Sequence, residues 1–245
     1  MQQRPEAYVF DVYGTVVNWR HSLAKGLEAS ARKVIEEPSS GVDEAILTRA
    51  KDMTFSTRDT STPMRGPRKA MGRRERPRSF SQEELHQRNL ETLISEFKLD
   101  GLWTTPEQTD QLVHLWHELD AWPDSAAAIA RFAQLGPVTA LSDGSIWGSD
   151  TCMAYKPDPS VYLGAVRKLG FEPADVALVA AHLGDLWGAK QCGLRALYIE
   201  RPFEERYTEG EVEEARCAGW VDMWVAYEAG SGLLGVVEWL EAMGE

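Results

Sequence analysis

Short apolar runs alternate with helical periodicities at both ends of the chain. Four runs, at 7–11, 138–141, 176–180 and 195–199, have the length and composition of buried strands. The segments that separate the later runs repeat apolar residues at helical spacing, and a glycine suited to ending a helix follows each of them. Strands separated by helices form parallel sheets with right-handed crossovers. We therefore predict an α/β fold with a doubly wound, Rossmann-like parallel sheet.

The middle of the chain carries helical patterns and no strand pattern. Apolar residues at near four-residue spacing predict a first helix within 23–35. Ser81 and Glu84 form a capping-box pair ahead of a second amphipathic segment. Thr105 and Pro106 have the residue types that open a third helix. This part of the chain is therefore expected to be helical.

These patterns divide the chain into two domains. The strand-bearing parts, 1–20 and 121–245, are predicted to form one core domain, and 21–120 an inserted helical cap domain. Within the insertion, 51–80 is poor in large apolar residues and rich in Ser, Thr, Pro and Arg, which predicts loop or disorder. The basic cluster at 65–78 is interpreted as a solvated part of that loop.

Composition and charge exclude several classes of protein. A chain of 245 residues with 43% hydrophobic residues can bury a sizeable core, and its net charge of −12 disfavours nucleic acid as a partner. No apolar run approaches the roughly 20 residues that span a membrane. The three cysteines are widely spaced, which suits a reducing compartment, and no signal peptide is visible. We expect a cytoplasmic protein, and a homodimer is compatible with the sequence.

Polar residues follow three of the predicted strands. Asp11 and Thr15 follow the first, Ser142 and Asp143 the second, and His182 and Asp185 the third, while Lys156 precedes a predicted helix. The carboxyl ends of parallel strands meet at one edge of a sheet, where α/β proteins bind ligands. A carboxylate nucleophile, a hydroxyl, a lysine and a second carboxylate in one cleft predict a reacting centre for an anionic substrate.

Four motifs resemble those of the haloacid dehalogenase superfamily, and within it the type II 2-haloacid dehalogenases. They read FDVYGT at 10–15, LSDG at 141–144, YKPDPSVY at 155–162 and VAAHLGD at 179–185. The resemblance implies the core fold of that superfamily with a cap, and hydrolysis of short 2-haloalkanoic acids through an ester on an aspartate. It also implies a small anionic substrate, no cofactor and no metal.

The resemblance assigns a role to each matching residue. Asp11 would be the nucleophile, and Thr15 and Ser142 would hold the carboxylate of the nucleophile or of the substrate. Lys156 would keep Asp11 ionised, and Asp185 would orient Lys156 and the hydrolytic water. Five further residues are expected to bind substrate, namely Tyr13, Arg20, Asp143, Tyr162 and His182, with His182 alternatively a structural histidine.

Tyr13 distinguishes two branches of the superfamily. Its phosphatases carry an aspartic acid two residues after the nucleophile, which protonates the leaving alcohol, whereas halide leaves without a proton. A tyrosine at this position therefore favours dehalogenation over a phosphatase in which Asp11 and Asp185 act with Mg²⁺.

Two departures from the family pattern keep a further alternative open. The family usually has asparagine where this chain has Asp143, and 13 residues separate Ser142 from Lys156, where the family fits a helix and a strand. These departures are compatible with a catalytically impaired relative that serves as a binding or structural protein.

Overall fold

The computed structural model describes residues 3–36, 45–46, 48–50, 82–142, 155–227 and 231–243. The chain forms two compact units. One consists of Met1–Asn18 together with Ala121–Glu245, and the other of Trp19–Asp120. We call them the core unit and the helical unit.

The helices and strands follow the alternation of apolar patterns along the chain. In chain order they are β1 (Ala7–Phe10), α1 (Trp19–Ile35), α2 (Gln82–Glu96), α3 (Pro106–His114), α4 (Ser125–Leu135), β2 (Val138–Ala140), α5 (Pro159–Leu169), β3 (Val176–Ala180), α6 (Leu183–Gln191), β4 (Arg195–Ile199), α7 (Glu209–Ala218), β5 (Met223–Val225) and α8 (Gly232–Ala242). Elements α1–α3 belong to the helical unit and the others to the core unit.

In the described residues of the core unit, five strands form a parallel sheet in the order β2-β1-β3-β4-β5. Strand β1 lies between β2 and β3, and Phe10 pairs with Ala140 on one side and with Val179 on the other. The next strand in the chain, β2, therefore pairs with one edge of β1, and the strand after it, β3, pairs with the other edge. The carboxyl end of β1 is the position at which α/β folds of this kind bind ligands.

Both faces of the sheet are covered by helices. Alternate residues of β1 point to opposite faces, so that Ala7 and Val9 join one apolar cluster and Tyr8 and Phe10 join the other. Helices α5, α6 and α7 supply the first cluster, and α4 and α8 supply the second. The predicted doubly wound α/β fold is confirmed.

The helical unit has its own apolar core. It contains Leu27 and Ala31 of α1, Leu90 and Ile94 of α2, and Trp103 before α3. The indole nitrogen of Trp103 donates to Ser30 Oγ at 3.0 Å. Since each element contributes one apolar face, the three helices are stabilised by packing against one another.

Most predicted elements are present, with small differences at their ends. The first two strands end one residue earlier than predicted, at Phe10 and Ala140, because the polar loops begin directly after the paired residues. The predicted opening of α3 is present as a full capping box between Thr105 and Gln108. Strand β5 and helices α7 and α8 were not predicted. The capping pair proposed for Ser81, the loop at 51–80 with its basic cluster, and the segment 143–154 lie outside the described residues.

In the described part of the chain, no helix combines the length and apolar character needed to cross a membrane.

Phe132 of α4 is the residue on which we test the packing of the sheet. Its side chain is fully buried and makes edge-to-face contacts with the rings of Tyr8 and Phe10, at centroid distances of 5.0 and 4.9 Å. Because Phe132→Ala removes both contacts and leaves a cavity, we expect a loss of about 3–5 kcal/mol in the free energy of unfolding by urea. Phe203→Ala, at a side chain that is 69% exposed, is the matched control and should change stability by less than about 0.5 kcal/mol. Equal losses in the two variants would contradict this account of the core.

Candidate active site

Three neighbouring strands bring polar residues to one edge of the sheet. Asp11 directly follows β1, Ser142 follows β2 after one residue, and His182 follows β3 after one residue. Main-chain hydrogen bonds continue past the strands, from Asp11 N to Val179 O at 3.1 Å and from Leu141 N to Phe10 O at 2.7 Å. The backbone that carries these side chains is therefore held by the sheet itself.

Asp11 is a buried carboxylate whose two oxygens have different partners. Lys156 Nζ donates to Oδ1 at 2.8 Å. Thr15 Oγ1 donates to Oδ2 at 2.7 Å, and His182 Nδ1 lies 3.0 Å from the same oxygen. The hydroxyl of Thr15 also accepts a hydrogen bond from Ala181 N at 2.9 Å, which fixes its orientation. The Asp11 carboxylate is thus held in one position.

Lys156 connects Asp11 to the second carboxylate of the site. Its ammonium group donates to Asp185 Oδ2 at 2.6 Å, and Tyr162 Oη donates to Asp185 Oδ1 at 2.6 Å. Lys156 and Asp185 side chains are each only 8% exposed. The position of Lys156 follows from its place just before α5, where the Asp158 carboxylate accepts from Ser160 N and caps the helix.

Burial and charge act in opposite directions on the two aspartates. Burial disfavours ionisation of Asp11, but the Lys156 ammonium and the hydrogen bond from His182 outweigh it, and the pKa of Asp11 lies well below its ordinary value. For Asp185 burial prevails with help from the charge of Asp11, and its pKa is raised despite Lys156. Asp11 is therefore ionised at neutral pH, while Asp185 is the more basic of the two.

His182 lies between two carboxylates. Its Nδ1 faces Asp11, and its Nε2 lies 3.4 Å from Oε2 of Glu204, a side chain that is 2% exposed. Burial alone lowers the pKa of this histidine, but the hydrogen bonds and negative charges of Asp11 and Glu204 raise its pKa to about 10. At neutral pH, His182 is therefore an imidazolium that donates from both ring nitrogens.

The loop that follows Asp11 is fixed by the surrounding chain. Gly14 has φ of +80°, a conformation that glycine adopts without strain. The indole nitrogen of Trp122 donates to the Gly14 carbonyl at 3.0 Å, and Ser125 Oγ donates to the Val16 carbonyl at 2.7 Å. Arg201 Nε donates to the Thr15 carbonyl at 3.3 Å. The carbonyls of Gly14, Thr15 and Val16 thus each accept a hydrogen bond from a side chain outside the loop, which holds the loop in place.

Arg201 is itself held by a buried ion pair. Its Nη2 donates to both carboxylate oxygens of Asp124, at 2.9 and 3.0 Å, and its guanidinium lies 4.8 Å from the centroid of the Trp122 ring. Asp124 also accepts from Leu233 N at the start of α8. These contacts join the Asp11 loop to the far end of the chain.

The structure brings together six of the residues proposed from sequence, namely Asp11, Thr15, Lys156, Tyr162, His182 and Asp185. Ser142 is buried at the carboxyl end of β2, next to the strand that carries Asp11. Tyr13 lies half-buried in the Asp11 loop, and burial raises the pKa of its hydroxyl.

The structure does not test the roles proposed for two further residues. Arg20 is the second residue of α1 in the helical unit, where its guanidinium lies over the Trp19 ring at 4.5 Å. Asp143 lies outside the described residues. The roles given to both stay predictions.

Glu204 and Arg201 were missed by the sequence analysis. Both lie in the loop after β4, at the same carboxyl edge as the other strand ends. Asp11 was identified because it follows the carboxyl end of a predicted strand. Arg201 and Glu204 follow the predicted strand at 195–199 in the same way, so the same argument would have identified them.

Comparison with known proteins identifies the family. A family model described as haloacid dehalogenase-like hydrolase matches residues 5–193. The chain belongs to this family. It is thus a hydrolase with an α/β core, as the four motifs predicted.

Several haloacid dehalogenase-like hydrolases that are similar to this chain are named as 2-haloacid dehalogenases. (S)-2-haloacid dehalogenase 1 of Pseudomonas sp. (strain CBS-3) is 27% identical, with 80% of this chain and 84% of that protein covered. (S)-2-haloacid dehalogenase 4A of Burkholderia cepacia is 30% identical, but the match spans only 38% of this chain and 48% of that protein. A crystal structure of an L-2-haloacid dehalogenase is similar with a TM-score of 0.71 and 28% identity, covering 96% of this chain and 99% of that one.

The protonation of His182 predicts how stability depends on pH. Histidine in an unfolded chain has a pKa of about 6.5. The raised pKa of His182 in the folded protein, about 10, means that the stabilisation from its ion pairs is complete below pH 6.5 and is lost as the pH rises through 10. We therefore expect the free energy of urea unfolding to fall between pH 7 and pH 10, and His182→Asn to remove roughly 3 kcal/mol of that fall.

The matched control is His114→Asn, at an exposed histidine of the helical unit. This variant should keep the pH dependence of the wild type. If His182→Asn kept it as well, His182 would not be the group that holds the proton.

Proposed function

We propose that this hydrolase removes halide from short 2-haloalkanoic acids and forms 2-hydroxy acids through an ester on Asp11. The observation that carries the proposal is the Lys156 ammonium shared between Asp11 and Asp185, at 2.8 and 2.6 Å. It keeps one carboxylate ionised and fixed for attack, and a second carboxylate next to it for the hydrolytic step. The names of the similar proteins support the same substrate class.

In the first half of the reaction, Asp11 is the nucleophile. One of its carboxylate oxygens forms a bond to the carbon that bears the halogen, and the halide leaves with the electron pair of the broken bond. The lowered pKa of Asp11 keeps this carboxylate ionised throughout the neutral range. Because halide is a weak base, no acid is needed two residues after the nucleophile, where Tyr13 stands.

In the second half, water hydrolyses the ester. The water oxygen attacks Cγ of Asp11 while Asp185 accepts the water proton, and the raised pKa of Asp185 makes it a better base than an ordinary aspartate. The bond between Cγ and the alkyl-bearing oxygen then breaks. The product oxygen takes up the proton from Asp185, and the second proton of the water is released to solvent as the Asp11 acid ionises. Asp11 is thereby regenerated as a carboxylate with one oxygen from water.

The substrate carboxylate needs donors that hold it beside Asp11. We propose Ser142 for this role. Thr15 holds the nucleophile instead, because its hydroxyl is fully buried and already donates its only proton to Asp11. A substrate-binding role for Arg20 stays a prediction. Tyr13 would line the substrate, whereas Tyr162 is fully buried and holds Asp185 instead. Asp143 would bind substrate only as a neutral acid or with its carboxyl turned away, since two carboxylates in contact repel.

The proposed chemistry uses no cofactor. The first half moves the alkyl group of the substrate to Asp11 and releases halide, and the second half hydrolyses the ester with water. The cation that Asp11 and Asp185 share is a lysine ammonium. Among the described residues, no group of three or more His, Cys, Asp or Glu side chains is placed to hold a metal ion. A phosphatase acting with Mg²⁺ and a catalytically impaired binding protein remain distinct outcomes of the experiments below.

Asp11→Asn tests the nucleophile. We expect the wild type to release halide from 2-chloropropionate and the variant to lose at least about 10³-fold in rate, because an amide does not form the ester. Asp158→Asn, which leaves a capping oxygen at the start of α5, is the matched control and should keep wild-type activity. An inactive wild type would favour the impaired relative, and unchanged release by Asp11→Asn would exclude the covalent route.

Isotope labelling tests the covalent route independently. In a single turnover in H₂¹⁸O with enzyme in excess, we expect the label in Asp11 and unlabelled oxygen in the product hydroxyl. Mass spectrometry of the peptide that contains Asp11 measures this directly. Label found only in the product would show that water attacks the substrate carbon itself.

Metal removal separates the dehalogenase from the phosphatase. Halide release should be unchanged after dialysis against EDTA, because the proposed steps use Lys156 as their cation. Turnover of p-nitrophenyl phosphate that depends on added Mg²⁺, without halide release from 2-chloropropionate, would instead support the phosphatase.

A further inference from the structure

Glu204 is a buried carboxylate that the reaction outlined above does not use. It lies in the loop after β4, is 2% exposed, and places Oε2 at 3.4 Å from His182 Nε2. The chain makes room for it at Gly14, where a Cβ atom would lie 2.2 Å from the same Oε2. A buried carboxylate is costly unless it is paired with a cation, and the imidazolium of His182 is such a partner.

The two oxygens of Asp11 are not equivalent for attack. Among the described residues, Oδ2 receives hydrogen bonds from both Thr15 and His182, whereas Oδ1 receives one from Lys156. A carboxylate oxygen has two lone-pair directions. Oδ1 therefore keeps one free for the substrate carbon, and Oδ2 becomes the carbonyl oxygen of the ester.

Negative charge then develops on Oδ2 when water attacks Cγ. The donors of Thr15 and His182 lie at 2.7 and 3.0 Å from that oxygen, within the range at which donors stabilise an oxyanion. A positively charged donor stabilises it more than a neutral one. The His182 proton thus matters most in the hydrolytic half of the reaction.

Formation of the ester changes the surroundings of His182. In the free enzyme two carboxylates face its ring, Asp11 on Nδ1 and Glu204 on Nε2. The next charged groups, Lys156 and Asp185, contact Asp11 through Oδ1 or each other. Once Asp11 is alkylated it carries no charge, and Glu204 is the carboxylate that still faces the imidazolium.

We propose, on the basis of the function proposed above, that Glu204 is a positioning residue for ester hydrolysis, because it keeps His182 doubly protonated and aimed at Oδ2 after Asp11 has lost its charge. The first half of the reaction does not need this pair. Lys156 already neutralises Asp11 there, and an additional cation on a carboxylate makes it less nucleophilic. Glu204 therefore acts on the second half selectively.

The test compares the two halves in Glu204→Gln, a variant that keeps an oxygen for Nε2–H but removes the charge. With 2-bromopropionate the good leaving group makes the first half fast, so rapid-quench mass spectrometry can follow the Asp11 ester. We expect the halide burst of the first turnover to change by less than about threefold. The ester lifetime should lengthen about 10- to 100-fold, less than the 10²–10³-fold loss that follows removal of a whole donor.

His182→Asn and the double variant show whether Glu204 acts through His182. The asparagine amide can still donate to Oδ2, but it carries no charge, so we expect a similarly long-lived ester. Glu204→Gln should then add little in the His182→Asn background. The variant that carries both Glu204→Gln and His182→Asn removes the carboxylate and the imidazolium together, so neither charge is left buried without the other. It is measured in place of His182→Asn if that single variant does not fold. Glu241→Gln, which removes a carboxylate paired with Arg131, is the control for the loss of an ion pair and should leave both rates unchanged.

Three results would overturn the proposal. They are an unchanged ester lifetime in Glu204→Gln, an equal reduction of burst and hydrolysis, and full additivity of the two substitutions. Failure of the proposed function looks different, because the wild type would then release no halide in the first turnover and form no ester.

Discussion

The Lys156 ammonium between two buried carboxylates is the interaction on which the site depends. Asp11 directly follows β1 and Asp185 lies in the first turn of α6. Without a cation between them their charges would repel in a poorly solvated space. The cation also separates their properties, since it helps to keep Asp11 ionised while burial leaves Asp185 more basic. One lysine thus allows two aspartates to serve as nucleophile and base within the same cleft.

The fold could be predicted where the pattern was strong. The continuous apolar run of β3 and the glycine after α5, which has φ of +80°, fixed those elements nearly to the residue. Strand β5 has three residues, too few to show a period, and in α8 the polar face is reduced to Glu238 and Glu241, which is a weak signal for a helix. Both were missed because neither gives a periodic pattern of apolar and polar residues strong enough to identify it.

Only the site residues that lie within the four motifs could be predicted from the sequence. Asp11, Thr15, Lys156 and Asp185 were named from strand ends and from spacing, and the structure brings them together. Glu204 could not be weighed in the same way, because a surface glutamate and a buried one look alike in a sequence. Its burial depends on contacts between residues that are far apart along the chain, and local spacing does not record such contacts.

The central place of β1 in the sheet has a consequence for biosynthesis. Strand β1 is made first, yet its neighbours are β2 and β3, which follow only after the whole helical insertion. The apolar residues of β1 therefore wait for their partner strands while the insertion is translated, and pairings this distant in sequence form slowly. During that interval the helical unit, which has its own apolar core, can already fold. The nascent chain can thus carry a folded helical unit while β1 is still unpaired. Its risk of aggregation is greatest during this interval.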